Sequence, residues 1–103
     1  MSFIGSLFGL GAKTDFQALL ANGAQIIDVR SPGEYKGGHI KGSLNIPVDQ
    51  VRNRLGEIKK DKPVITVCAS GMRSASAQGT LKAAGYEAYN GGGWQGLAHK
   101  LGV

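Results

Sequence analysis

Val64-Ile65-Thr66-Val67-Cys68-Ala69-Ser70-Gly71-Met72-Arg73-Ser74 decides the fold. Val64 to Val67 is the most continuous β-branched run in the chain and reads as a strand in the middle of a sheet, buried on both faces. Cys68 follows at once, then small residues. The alanine-rich segment from Ser74 to Ala84 is expected to be a helix packed closely on that sheet. A strand, a six-residue loop and a helix in succession form the repeating unit of open α/β sheets.

Working outward toward the amino terminus, Gln25 to Val29 is a second β-branched run, and Leu44 to Ile46, stopped by Pro47, is a third. Asp15 to Asn22 is apolar at 16, 19 and 20, which is helical spacing, with Thr14 as N-cap and Asn22-Gly23 as its end. Ser31-Pro32-Gly33 is expected to turn the chain, and Gly37, Gly38 and Gly42 to mark an irregular connection. Val48 to Ile58, apolar at 48, 51, 55 and 58, predicts an amphipathic helix. Toward the carboxy terminus, Gly85 ends the alanine-rich helix. Tyr86 to Tyr89 is a last strand, Asn90 to Gly93 a glycine turn, and Trp94 to Leu101 a terminal helix. Strands alternate with helices, so the chain is α/β with a largely parallel sheet.

The 103 residues suffice for one domain and not two. That domain is expected over residues 12–103, behind an apolar arm over residues 1–11. Phe3, Ile4, Leu7 and Phe8 of the arm share a helical face. A bilayer span takes ~20 apolar residues, and no basic region precedes the stretch. The arm is therefore expected to pack on the domain or to fray, against the rival of a weak membrane or partner contact that the missing basic flank weakens, and the chain is expected to be cytoplasmic. Twelve Lys and Arg against seven Asp and Glu give a net charge of +5, which favours anionic partners. The charges are dispersed and aromatics make up only 7%, so nucleic acid is not expected. One cysteine excludes an intramolecular disulfide, and with two histidines it cannot complete a zinc cage.

Chemistry concentrates at Cys68. In open α/β sheets ligands bind beyond the carboxyl ends of the strands. A helix N-terminus there offers unpaired N–H groups and partial positive charge. Ala69, Ser70 and Gly71 are small enough for the backbone to curl into an anion-binding nest, and Arg73 closes the loop with a permanent charge. A thiol facing these groups should be largely thiolate, ready to attack an electrophilic sulfur or phosphorus.

Three blocks of the sequence resemble the rhodanese homology domain over roughly residues 12 to 101. They are Ile27 to Tyr35 with Gly38 to Pro47, Cys68 to Ser74, and Asn90 to Trp94. The resemblance implies a three-layer fold with a five-stranded, mainly parallel sheet between helices, its fifth strand a very short one near Gly11 to Lys13. It implies a sulfurtransferase needing no metal or organic cofactor. Cys68 would take sulfur from a small anionic donor such as thiosulfate, hold it as a persulfide, and pass it to cyanide or a thiol. The backbone of Ala69, Ser70, Gly71, Met72 and Arg73 would hold the anion. Related cell-cycle phosphatases use a loop one residue longer, and the tighter ring here suits sulfur better than a phosphoryl group. A phosphatase or arsenate reductase is the enzymatic rival. A module that delivers or senses sulfur through a sulfur-accepting protein is the non-enzymatic one. Ala69 and Ser70 stand where some thiosulfate-using relatives carry basic residues.

Three further residues are expected to support the site structurally. Asp28 would bond loop N–H groups, Arg30 would pair with Glu34, and His39 would anchor its loop. Trp94 is expected to be a core anchor, and His99 a surface residue.

Overall fold

The computed structural model describes residues 14–103. Its elements are α1 (Phe16–Ala21), β1 (Gln25–Asp28), α2 (Pro32–Lys36), β2 (Leu44–Asn45), a 3₁₀ segment (Val48–Glu57), β3 (Val64–Cys68), α3 (Met72–Ala83), β4 (Ala88–Gly93) and α4 (Trp94–Leu101). The strands form one parallel sheet in the order β2-β1-β3-β4. Four strands are present among the described residues. The fifth expected strand, near Gly11 to Lys13, and the apolar arm lie outside them.

β3 lies between β1 and β4, and all five of its residues are buried, as its β-branched run requires. Its side chains alternate between the two faces. Ile65 and Val67 point to the face covered by α1 and α4, where they join Ile26, Ile40 and Leu97. Val64 and Cys68 point to the other face, with Ala77 and Leu81 of α3 and Val51 of the 3₁₀ segment. Helices on both faces make three layers.

Several local expectations are corrected. Asp15, not Thr14, caps α1, its side chain accepting from the Ala18 N–H at 3.0 Å. The Ser31-Pro32-Gly33 turn is the start of α2. Ser31 and Glu34 form a reciprocal capping box, and Pro32 occupies the first turn, where a missing N–H costs nothing. Val48–Glu57 is a 3₁₀ run and not an α-helix, broken by the non-helical backbone of Arg54. Asn90 to Gly93 is strand, not turn. Against β3, the pairing moves from Thr66–Asn90 to Cys68–Gly93, so β4 carries one extra residue there.

The chain order places β1 between β2 and β3, so successive connections leave β1 on opposite sides. The crevice at such a switch point, beyond the carboxyl ends of β1 and β3, is where open α/β sheets bind ligands. Asp28 ends β1 and Cys68 ends β3. Among the described residues, no helix is long and apolar enough to cross a membrane.

Candidate active site

β3 ends at Cys68 and α3 starts at Met72, so the six-residue loop read from sequence is a tight turn through Ala69, Ser70 and Gly71. Gly71 is the N-cap of α3 at φ +105°, a left-handed backbone that glycine adopts without strain. The reversal brings Met72 and Arg73 into the first helical turn, where backbone N–H groups lack intrahelical partners.

Cys68 Sγ occupies the mouth of that turn. It accepts from the Gly71 N–H at 2.9 Å, and its thiol donates to Ser74 Oγ at 3.4 Å. Burial pushes this thiol up. Hydrogen bonds with the Ser74 hydroxyl and with the backbone N–H groups of Ser74, Gly71 and Ser70 outweigh burial and bring it below the ordinary 9.0. The groups at the helix N-terminus thus favour the thiolate.

Arg73 is engaged elsewhere. Its guanidinium donates to both carboxylate oxygens of Glu34, at 2.7 and 3.0 Å. Glu34 is held for this by its capping box, Oε1 also accepting from the Ser31 N–H and hydroxyl at 3.0 Å each. The Arg73 hydrogen bonds, then those of Ser31, lower the Glu34 carboxyl to about 2. Arg73 closes the loop as a clamp onto α2, with its charge balanced.

This corrects the expected Arg30–Glu34 ion pair. Asp28 is fully buried and needs a counter-charge, whereas the exposed Glu34 carboxylate is oriented by Ser31. Arg30 therefore pairs with Asp28, with contacts of 2.9 and 3.1 Å from Nε and 2.7 Å from one terminal nitrogen. It meets Glu34 only through that residue's carbonyl, at 3.3 Å. Arg30 also donates to the Gly38 carbonyl at 2.7 Å and lies 4.8 Å from the Trp94 ring centroid. Asp28 does accept a loop N–H, that of Arg30, at 3.1 Å. His39 stacks on Tyr35 at 3.7 Å and its Nδ1 lies 2.8 Å from the Tyr35 carbonyl oxygen, an anchoring geometry. His99 is exposed, and Trp94 packs against the α1–α4 core.

Sequence assigns no individual role to three features of the site. Ser74, buried beneath Cys68, donates to Asn90 Oδ1 at 2.6 Å. Asn90 also accepts from the Gly92 N–H at 2.9 Å and donates to the Gly71 carbonyl at 3.3 Å, joining β4 to the catalytic-loop candidate. The glycines beyond it leave room: a Cβ at Gly93 would lie 2.9 Å from the Ala69 carbonyl oxygen. A polar residue opening a glycine triplet, after a serine in a helix's first turn, was the available signal.

Among known proteins, the chain is 50% identical over 68 residues to the uncharacterised protein YqhL of Bacillus subtilis, a match covering 65% of this chain and 54% of that protein. It is 38% identical over 66 residues to the thiosulfate sulfurtransferase GlpE of Pseudomonas paraeruginosa, covering 64% and 60%. The chain thus spans little more than half the length of these curated relatives. The crystal structure of a rhodanese-related protein from Thermoplasma volcanium superposes with a TM-score of 0.72 at 31% identity, covering 84% of this chain and 86% of that one. The same cysteine-bearing strand, turn and helix fall inside the Rhodanese-like domain model, which matches residues 12–100, and the chain belongs to that family.

Proposed function

We propose that the protein is a sulfurtransferase that carries sulfane sulfur as a persulfide on Cys68. The observation that carries this reading is the Cys68 thiol, seated at the N-terminus of α3 and lowered below the ordinary thiol value. Named sulfurtransferases among the relatives support it.

The chemistry is a double displacement. The Cys68 thiolate attacks the outer sulfur of a donor such as thiosulfate. A bond forms between the two sulfurs, the donor's S–S bond breaks, and sulfite leaves with the electron pair. Cys68 is then a persulfide anion. The backbone N–H groups from Ala69 to Arg73, with the partial charge of the helix terminus, are the groups on hand to stabilise the terminal sulfur. Cyanide or a thiolate next attacks that sulfur. The Cys68 S–S bond breaks, thiocyanate or an organic persulfide departs, and the Cys68 thiolate returns. Charge at Cys68 is carried throughout by sulfur, so the scheme calls for no general base. His39 is a loop anchor in this scheme, and Asp28 and Arg30 hold the crevice wall.

Donor and acceptor are thus small sulfur compounds, or a protein thiol in a cytoplasmic setting. The test is sulfur transfer from thiosulfate, or from a persulfide donor, to cyanide. Wild type should turn over, and Cys68→Ser should lose at least about a hundredfold in rate. Equal rates in both would contradict the proposal. Stoichiometric loading of Cys68 without turnover would favour a sulfur-carrier module.

A further inference from the structure

Resting on that reading, the charge balance around the turn addresses which donor the site accepts. The side chains of Ala69, Ser70 and Met72 carry no charge. Arg73 is the one cation within the turn and the two helical residues that follow it, and both of its terminal nitrogens are taken up by Glu34. Arg30, just past the end of the neighbouring strand, is also held by a carboxylate, donating to both Asp28 oxygens through Nε and one terminal nitrogen. Glu34 stays ionised throughout the neutral range. Met72, the first residue of α3, adds an apolar side chain next to the turn, 81% exposed. Backbone dipoles remain to attract one charged sulfur, but both arginines at the ends of these elements already hold a carboxylate.

We infer that the Glu34–Arg73 clamp makes the site selective for alkyl persulfides over the thiosulfate dianion, with Glu34 as the specificity-determining residue. The Cys68 thiolate attacks the outer sulfur of R–S–SH. The donor S–S bond breaks, RS⁻ leaves with the electron pair, and the proton stays on the transferred sulfur as Cys68–S–SH. The carbon skeleton of the donor faces Met72, where an oxyanion would find no free cation. Thiosulfate brings two negative charges to a mouth whose arginines are already neutralised.

Glu34→Gln keeps the side chain's size and frees the Arg73 charge. Ser70→Arg adds a cation to the turn without touching the clamp. Rates of sulfur loading are to be compared for thiosulfate and for the persulfide of N-acetylcysteine methyl ester, generated in situ. Wild type should load faster from the persulfide. Both variants should raise the ratio of thiosulfate to persulfide loading rates roughly five- to tenfold. The gain should vanish in about 0.5 M salt, as a charge effect must and a packing effect would not. Faster loading of wild type from thiosulfate would overturn the inference while leaving the sulfurtransferase intact. So would a ratio unchanged in both variants. Failure of wild type to load from either donor would overturn the sulfurtransferase reading, and this inference with it.

Discussion

At the residue scale, Cys68 is a contest between burial, which resists a charge on sulfur, and hydrogen bonds, which favour one. The hydrogen bonds win because they converge on the sulfur from the turn at Ser70 and Gly71 and from Ser74 at the start of α3. Ser74 is the only side chain among these donors, and it has one proton to place. In the thiol state that proton points to Asn90 Oδ1, 2.6 Å away, while Ser74 Oγ accepts from the thiol at 3.4 Å. Once sulfur is ionised it can only accept, and the Ser74 hydroxyl is the side-chain donor within reach. Removing it leaves burial less opposed, so Ser74→Ala should raise the Cys68 midpoint toward 9.0 and slow alkylation at neutral pH. The rate of iodoacetamide alkylation against pH reads this directly. An unmoved midpoint would assign the whole effect to backbone N–H groups.

At the element scale, glycine means different things in β4 and in α3. A Cβ at Gly91 would lie 2.8 Å from Ile65 Cγ2 and 2.9 Å from the Thr66 carbonyl oxygen, both in the central strand. Gly79 lies inside α3 with nothing within 4 Å of the same position. Gly91→Ala should therefore destabilise by about 1–3 kcal/mol through overpacking. Gly79→Ala should stabilise by about 0.4–1 kcal/mol, by removing freedom from the unfolded chain. Urea unfolding of the two variants measures both. The same contrast explains what was legible. β3 and α4 could be read because β-branched runs and apolar spacing report burial, and burial dominates there. Asn90 to Gly93 reads as a turn because glycine is weak in strands, and only the nearness of β3 shows why it is required. α2 was hidden because a capping box with proline has the composition of a turn. Val48–Glu57 has helical spacing, but its backbone winds as 3₁₀ and breaks at Arg54, which a one-face apolar pattern does not reveal.

At the scale of the whole molecule, the site is a junction of elements distant in sequence. Cys68 could be picked out from its local context, and so could the turn after it. The partnerships could not, because Glu34 reaches Arg73 across 39 positions and Ser74 reaches Asn90 across 16. Asp28 and Arg30 hold this junction from below, tying the end of β1 to the Gly38 loop and to Trp94 of α4. Arg30→Ala leaves Asp28 buried without a counter-charge and should cost about 3–5 kcal/mol, read from thermal or denaturant unfolding. A cost under about 1 kcal/mol would mean that the pair is dispensable to the fold. The central claim, that the buried thiolate on the α3 terminus is the sulfur carrier, is tested most directly by intact mass. Wild type and Cys68→Ser are incubated with a sulfane-sulfur donor, weighed, treated with cyanide and weighed again. The account predicts one added sulfur atom on wild type alone, removed by cyanide as thiocyanate. Equal sulfur on Cys68→Ser, or no sulfur on wild type from either thiosulfate or a persulfide, would contradict it.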